Sequence, residues 1–426
     1  MSREKKLSKL LRGKKPIGKY STTNYKVIDM PTSEIVGKIE RFDERKTGFD
    51  RAFRGEYGDK IGSFIGKDIQ NLDKSIMSYF FKSGMPGKKP MTSNEGKGTD
   101  EKMTDLDKNM TENEKPSFKS ILTKVKGGSN ATKQIIHDDI NVVSRHIKSY
   151  GNFMGADLVG ICEIPDYAYY SHDKNGVPVE KKYKYAICII VDQDYDTLEA
   201  SNGKDWISGA QSFMAYSKAA FIAEAMAKYI QMQGFEAKDN NMLDYQVVVP
   251  PLLELAGIGE MGRYGMVINP SLGSRFKASV VLTNMPIATD KPIKFGVQAF
   301  CKVCKKCAIK CPSKSISESD EKIVHNGYKK YDFNYHSCTK FRLGNPNGSS
   351  CGNCIKVCPF NKSEGWIHDL ARWSIRNMPF LNHLIVLGDD LLGYGKPNHE
   401  KKWWFDFEKD SLAAKNEKKK AAVEAI

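Results

Sequence analysis

Eight of the ten cysteines in this chain lie in one stretch, between residues 300 and 360. The stretch begins with a C-x2-C-x2-C-x3-C-P run at Cys301, which is the spacing of bacterial iron–sulfur sites. It ends with a C-x2-C-x3-C-P run at Cys351, which lacks the first cysteine of that pattern. Cys338, separated from Cys351 by twelve residues, is the candidate for the missing ligand. The stretch therefore supplies the eight thiolates that two four-iron clusters require.

The spacing also divides these cysteines into two ligand sets, because in paired sites the last cysteine of a run binds the other cluster. The first set is Cys301, Cys304, Cys307 and Cys358, and the second is Cys311, Cys338, Cys351 and Cys354. Four-cysteine zinc sites also use C-x2-C pairs and are the alternative, but the triple run followed by proline favours clusters. Disulfide frameworks belong mostly to small secreted domains. Cys162 and Cys188 lie in apolar, strand-like runs and are predicted to be small buried side chains.

Composition limits the partners. A chain of 426 residues can hold two or three domains, and its net charge of +15 suggests an anionic partner. An acidic electron carrier or a phosphate-bearing cofactor fits this charge, whereas nucleic acid is disfavoured because no binding motif accompanies it. No apolar run approaches the ~18 residues of a membrane span. The basic N-terminus has no apolar segment after it and no twin arginine, so we expect a cytoplasmic protein.

The elements around the cysteines are predicted from hydrophobic periodicity. Residues 1–25 are expected to be disordered, and the polar segment 83–128 is expected to be a flexible insertion. Between them, residues 39–45 are predicted to form a short helix or turn. Helices are predicted from 135 to about 150 and over 206–233, and strands over 157–163, 183–191 and 278–283. An aromatic helical segment is predicted from 366 to about 392, ended by glycines from Gly393. This mixture indicates an α/β (α+β) fold whose last strand leads into the cysteine stretch.

Two further features could contact a cofactor. Gly257, Gly259 and Gly262 match G-x-G-x-x-G, but no strand–turn–helix unit surrounds them, so a dinucleotide site is weakly supported. There are two other interpretations of these glycines. They could form a tight turn that needs positive φ, or a backbone surface that lies against a bulky cofactor. Tyr216 lies in the long helix on a face of small residues that would let a flat group approach. The ordinary alternative is one more aromatic side chain of an amphipathic helix.

Several of these segments together resemble the corrinoid-dependent reductive dehalogenases. The resemblance rests on LAGIGEMGRYG at residues 255–265, NPSLGSRF at 269–276, the cysteine runs with their C-x12-C spacing, and GYGK at 393–396. The segment IERFDERKTGF at 39–49 is similar to one near the mature N-terminus of that family. The similarity covers roughly residues 28–78 and 135–406, and it extends to the neighbouring epoxyqueuosine reductases.

The resemblance implies a nitroreductase-like domain that holds base-off cobalamin, followed by a ferredoxin-like module with two [4Fe-4S] clusters. It places the cobalamin domain at residues 135–298 and the ferredoxin-like module at 299–365. Residues 1–27 would be a basic N-terminus, 28–134 a region that contains the insertion, and 366–426 an aromatic helical tail. The implied proton donor is Tyr216 with Arg275 as its basic neighbour, and the implied cofactor contacts are Gly257, Gly259, Gly262 and Arg263.

The implied reaction is the reductive removal of halide from an organohalide. The implied electron donor is a low-potential carrier such as ferredoxin or flavodoxin, or a membrane anchor subunit. The twin-arginine signal common in the family is absent, which indicates a cytoplasmic member or a processed form with peripheral membrane association. Two alternatives remain at this point: a tRNA-modifying enzyme like epoxyqueuosine reductase, and a non-catalytic corrinoid or electron-transfer protein.

Overall fold

The computed structural model describes residues 17–18, 25–58, 61, 134–201, 203, 207–242, 244–344 and 351–402. The predicted insertion at 83–128 and most of the predicted disordered N-terminus lie outside these residues. Ile17 and Gly18 form a short strand, however, so the prediction of disorder was wrong for these two residues. Their backbone pairs with the edge of a longer strand, which supplies hydrogen bonds that local sequence does not reveal.

The strands in chain order are β1 (Ile17–Gly18), β2 (Lys26–Val27), β3 (Glu34–Ile35), β4 (Leu158–Glu163), β5 (Tyr185–Asp192), β6 (Ala237–Asn240), β7 (Glu260–Met261), β8 (Val267–Ile268), β9 (Phe276–Thr283), β10 (Ile293–Lys294), β11 (Ile323–His325) and β12 (Tyr328–Lys330). Five of them form the central sheet, in the order β1-β4-β5-β9-β6. Every pairing in this sheet is antiparallel. The fold is therefore a mixed one of the α+β kind.

The α-helices in chain order are α1 (Gly48–Phe53), α2 (Ile140–Phe153), α3 (Tyr195–Ala200), α4 (Ile207–Met232), α5 (Val249–Leu255), α6 (Val297–Cys304), α7 (Lys306–Ile309), α8 (Tyr335–Gly344), α9 (Asn353–Lys356), α10 (Trp366–Asn377) and α11 (Asn382–Leu391). The long predicted helix is confirmed as α4, and Gly234 follows it with φ of +86°, a left-handed conformation that ends helices. The short helix or turn predicted at 39–45 is a 3-10 turn over Glu44–Lys46. No helix in the described ranges is both long and apolar enough to cross a membrane.

Helices α2 and α4 cover one face of the sheet. Ile147 of α2 and Met226 of α4 pack with Val159 and Ile189 in a continuous apolar core. Gly151 lets the two helices and the sheet approach closely, since a Cβ there would lie 2.8 Å from Val159 and 2.9 Å from Met226. This core fixes the position of α4 on the sheet, and with it the side chains that α4 presents.

The other face of the sheet packs against α5. Cys162 and Cys188 lie in this second core together with Leu252 and Val280. Their predicted burial is confirmed, since both side chains are almost fully inaccessible. The Cys162 thiol lies 3.5 Å from the carbonyl oxygen of Leu252. Both cysteines therefore behave as small apolar groups of the core.

The cysteine stretch packs around aromatic rings and joins the C-terminal helices. Phe360 contacts Phe295 and Phe300 edge-to-face, with ring centroids 5.6 and 5.3 Å apart. The helical segment predicted from 366 to 392 is not continuous, because a 3-10 turn at Pro379–Leu381 separates α10 from α11. Proline lacks the N–H that the preceding turn requires, and it biases the residue before it away from helical geometry.

Candidate functional site

The first predicted ligand set converges on one cavity. Cys301 and Cys304 lie on α6, Cys307 lies on α7, and Cys358 follows α9. Lys305, with φ of +52°, turns the chain between the two helices. All four cysteines line the same small cavity, together with Arg263, Tyr264, Phe300, Lys305, Pro359 and Phe360. The structure thus brings together the four thiols that spacing alone assigned to one cluster.

The thiols of this set also influence one another electrostatically. Burial and, after it, the nearby charge of Cys358 raise the pKa of Cys301 to about 12. Burial likewise raises the pKa of Cys307, and Cys301 and Cys358 are its next largest influences. Protonated thiols do not bind metal, so these pKa values describe a site that favours thiolates only when a cation is bound.

The second set gathers around α8 and α9. Burial raises the pKa of Cys354, and the neighbours that raise it further are Cys351, Cys338 and Cys311, the other members of its predicted set. Cys311 itself is different, because hydrogen bonds outweigh its burial and lower its pKa. The backbone N–H of Ser315 donates to its sulfur at 3.3 Å.

Both sets offer the all-thiolate donors that [4Fe-4S] clusters use, with each cysteine binding a different iron. Within the described residues, no group of three or more His, Cys, Asp or Glu side chains is arranged to hold a single metal ion.

A second group of side chains lies beside the cysteines and contains the predicted proton donor. The group consists of three side chains: Tyr216 on α4, Lys277 on β9, and Tyr245, which lies outside both elements. Each of them keeps part of its surface accessible. Burial is nevertheless the leading cause of the pKa shift at all three. Other protein atoms therefore surround these three side chains, which lie in an enclosed region of the protein. The Lys277 ammonium nitrogen lies 5.1 Å from the centre of the Tyr216 ring.

Charges around this region connect it to the second cysteine set. Burial raises the pKa of Tyr216, and the Arg342 guanidinium opposes that rise. Burial and, after it, the Arg342 guanidinium lower the pKa of Lys277 to about 7, against an opposing influence of Cys354. Arg342 lies on α8, the helix that carries Cys338. A phenol, an amine and a guanidinium thus share one enclosed region with thiols of the second set.

The contacts that Arg275 makes are with groups other than Tyr216, so its predicted role beside the proton donor stays a prediction. Its guanidinium donates to Asp192 at 2.7 and 3.1 Å and to the side-chain oxygen of Asn361 at 2.7 Å. Its nearest ring contact is with Tyr195, at 5.2 Å. The cation against the Tyr216 ring is Lys277, two residues further along the same region of chain. The two cations differ because of their positions on the chain. Arg275 immediately precedes β9 and reaches Asp192, whereas Lys277 lies inside β9.

The glycine-rich segment forms the turn before a small hairpin of β7 and β8. Gly257 has φ of +68°, as a tight turn after α5 requires. A Cβ at Gly259 would lie 2.0 Å from the carbonyl oxygen of Ile268, and one at Gly262 would lie 2.8 Å from the side chain of Ile268. The segment follows a helix and leads into a strand, which is the reverse of a dinucleotide-binding unit. These three glycines are explained by packing, and their contact with a corrinoid stays a prediction.

Arg263 connects the hairpin to the first cysteine set. Its buried guanidinium donates to the carbonyl oxygens of Cys301 at 3.1 Å, Ser317 at 2.9 Å and Ser319 at 2.7 Å. It also stacks on the Tyr331 ring at 3.7 Å. These contacts tie Arg263 to Cys301 on α6 and to the segment around Ser317 and Ser319, so Arg263 helps to hold a predicted ligand in position. Its predicted contact with cobalamin also stays a prediction.

Comparison with protein families assigns residues 300–362 to the 4Fe-4S dicluster domain. The tetrachloroethene reductive dehalogenase of Sulfurospirillum multivorans is 41% identical over 155 residues, which cover 35% of this chain and 30% of that protein. That of Desulfitobacterium hafniense is 35% identical over 226 residues, covering 51% of this chain and 40% of that protein. The epoxyqueuosine reductase of Shewanella oneidensis is 31% identical over 136 residues, covering 30% of this chain and 33% of that protein.

The fold comparison agrees with the sequence comparison. A solved structure of the catabolic reductive dehalogenase NpRdhA matches with a TM-score of 0.75 at 32% identity, covering 91% of this chain and 52% of that one. The chain thus spans less than half of the first two relatives and about half of this structure. The predicted resemblance is confirmed on both counts: in sequence and in fold, this chain is related to the reductive dehalogenases.

Proposed function

We propose that this chain catalyses the reductive removal of halide from an organohalide, using base-off cobalamin and two [4Fe-4S] clusters. Support comes from the reductive dehalogenases it resembles and from the dicluster domain over residues 300–362. Because the chain spans only part of its relatives, the activity is inferred from the site as well as from that similarity. The observation that carries the proposal is the enclosed Tyr216–Lys277 pair next to the second thiol set.

The eight cysteines would hold the clusters in the two sets described above. When bound, the clusters supply single electrons and the corrinoid supplies a strongly reducing, nucleophilic metal centre. The chain's own contribution is to position these groups and to exclude water. Cys354 influences Lys277 directly, so the second set is the one nearer the enclosed region. The first set would then receive electrons from a low-potential donor such as ferredoxin or flavodoxin, or from a membrane anchor subunit.

Proton supply is the task that the described side chains perform. Cleavage of a carbon–halogen bond leaves a carbon that must gain a proton, and the Tyr216 hydroxyl would donate it. Burial raises the pKa of Tyr216 and keeps the phenol protonated at neutral pH. A phenolate forming there would be stabilised by Lys277 and Arg342, because opposite charges nearby favour the ionised form. Tyr216 thus acts as the general acid, and the two cations make its proton available.

Arg275 enters this proposal as a positioning residue. It ties Asp192, at the end of β5, to Asn361, three residues after Cys358. The guanidinium thereby fixes the end of the second cysteine run against the central sheet. Its predicted role as the basic neighbour of Tyr216 is better filled by Lys277.

The test is anaerobic reconstitution of the full chain with cobalamin, iron and sulfide, followed by assays of halide release. The panel should include chlorinated ethenes, which two relatives are named for, and a halogenated hydroxybenzoic acid, since NpRdhA has been solved with 3-bromo-4-hydroxybenzoic acid. We expect about eight irons and one cobalt per chain. Stoichiometric zinc without iron would refute the cluster assignment.

The same preparation decides between the alternatives. Turnover of tRNA that carries epoxyqueuosine, without halide release from any organohalide, would favour the alternative related to epoxyqueuosine reductase. Bound iron and cobalt without turnover of either substrate would favour a corrinoid or electron-transfer protein that has no catalytic role.

A further inference from the structure

Two buried lysines flank the first cysteine set and share one carboxylate. Lys306 immediately precedes Cys307, and Lys362 lies four residues after Cys358. Both donate to Asp389 of α11, Lys362 at 2.7 Å. The side chains of Lys306, Lys362 and Asp389 are only 7, 8 and 5% exposed. We call this group the Lys–Asp–Lys bridge.

Neighbouring side chains hold the bridge in place. Lys306 also pairs with Asp390 at 2.7 Å, but that carboxylate is more than half exposed. The Lys362 ammonium lies 3.8 Å from the centre of the Tyr394 ring, a cation–π contact. The Tyr394 hydroxyl is in turn within 2.9 Å of the His368 ring nitrogen. The charges are thus fixed in position.

The bridge attaches α11 to the cysteine stretch, and burying its charges costs free energy. Desolvating buried ions offsets most of their mutual attraction, and apolar side chains of similar size often stabilise a protein as well or better. Here two buried cations share a single buried anion, and the second anion, Asp390, is more than half exposed, so water screens its charge more strongly. Within the buried region, positive charge therefore lies next to the cysteines in excess. Packing alone does not require that charge.

The charge acts on the cysteines from both sides. Lys362 and Asp389 both lie near enough to Cys358 to act electrostatically on negative charge at its sulfur, and they do so with opposite signs. Lys306, which follows Cys304 by two residues, likewise favours negative charge at the Cys304 sulfur. The lysines and the aspartate therefore have opposite effects on negative charge at the first set. The same opposition applies to any negative charge that a cluster there would gain.

We propose that the Lys–Asp–Lys bridge sets the reduction potential of the cluster held by the first cysteine set. The inference rests on the proposed function, since it needs that cluster. In the step concerned, a one-electron carrier of low potential is oxidised and the cluster gains its electron, with no bond or proton transferred. Reduction adds one negative charge, which Lys306 and Lys362 stabilise and Asp389 opposes. Because the region is buried, these effects are weakly screened.

The experiment is an anaerobic redox titration of the reconstituted full chain, followed by EPR spectroscopy of both clusters. Lys362→Met removes a cation and should shift the potential of the first cluster to more negative values. Asp389→Asn removes the anion and should shift it to more positive values. Lys362→Arg keeps the charge and should restore a value near that of the unsubstituted protein. The second cluster should be unchanged in all three variants and serves as the internal reference.

Lys302→Met is the matched control, because Lys302 adjoins Cys301 but is exposed to solvent. Its shift should be much smaller than that of Lys362→Met, since water and salt screen its charge. Equal shifts in these two variants, or shifts of the same sign in Lys362→Met and Asp389→Asn, would overturn the inference.

If Lys362→Met fails to retain its cluster, Asp389→Asn and Lys306→Met still test the inference. They should shift the potential of the first cluster in opposite directions. An unsubstituted protein without any iron–sulfur signal would instead refute the proposed function, and the inference with it.

Discussion

Replacing Tyr216 with phenylalanine separates proton donation from every other property of the site. Phenylalanine keeps the ring that packs along α4 and faces Lys277, and it removes only the hydroxyl. Cluster content, cobalamin binding and thermal stability should therefore stay close to those of the unsubstituted protein. The carbon–halogen bond would still be reduced, but the carbon would have to take its proton from another source.

The size of the effect follows from two estimates. A positioned general acid contributes a factor of roughly 10²–10⁴, which corresponds to about 3 to 5 kcal/mol in the activation barrier. Part of that contribution depends on Lys277. The Lys277 ammonium lies 5.1 Å from the centre of the Tyr216 ring. A unit charge on the order of 5 Å from a phenolate oxygen, at an effective dielectric constant of about 20, would stabilise the phenolate by about 3 kcal/mol. Lys277→Met should thus lose a factor of roughly 10² in turnover.

The assay is halide release under single-turnover conditions, with the enzyme reduced beforehand so that electron delivery does not limit the rate. The solvent deuterium isotope effect is measured on the same samples. In the unsubstituted protein it should report transfer of the Tyr216 proton, and it should change in Tyr216→Phe. An active Tyr216→Phe protein with unchanged halide release and isotope effect would remove Tyr216 from the mechanism. The double variant with Lys277→Met should lose no more than Tyr216→Phe alone, because both act on one proton transfer.

Three further outcomes are expected. Cys304→Ala and Cys354→Ala should each lose about four irons. Cys188→Ala should keep all of its iron and lower the free energy of unfolding by roughly 1 to 2 kcal/mol through lost packing. Equal iron loss in all three variants would contradict the division into cluster ligands and core cysteines. Because the pKa of Lys277 is lowered to about 7, its charge is lost as pH rises through that value, so turnover should fall above about pH 7. Lys277→Arg should flatten that limb of the pH–rate profile, and an unaltered profile would exclude Lys277 as its cause. Arg275→Met should lower the free energy of unfolding by about 3 kcal/mol, the usual effect of breaking a buried ion pair, as denaturant titration would show; lost turnover at unchanged stability would restore its predicted place beside the proton donor.

The cysteine sets show what a sequence can predict about a site. Ligand spacing is a local property, and the rule that runs exchange their last cysteine is general to paired clusters. Cys358 therefore could be assigned to the set of Cys301 although 56 residues lie between them in the chain. The buried strands and α4 were equally predictable, because continuous apolar patterns and helical periods record burial directly.

Lys277 shows where such prediction ends. It follows Phe276 in a strand whose other members are nearly all buried and apolar, and a lone lysine in such a strand was a signal that could have been used. The resemblance implies Arg275 as the basic neighbour because its Gly-Ser-Arg sequence matches the family. Its actual partner, Asp192, lies 83 residues earlier and is brought close only by the pairing of β5 with β9. Which of two nearby cations faces a tyrosine depends on that long-range register, which local sequence does not specify.

The net charge of +15 suggests an external anionic partner, yet part of the basic excess lies in the interior. Arg263 and Arg275 donate to groups at or near the ends of the cysteine runs, and both are almost fully buried. Lys306 and Lys362 lie within the same module. Eight thiolates gathered in two buried sets would carry more negative charge than their irons neutralise, and such charge is costly in a low-dielectric interior unless cations lie nearby. These four residues are therefore part of what lets the chain fold around its cysteines, and composition alone could not have distinguished them from lysines on the surface.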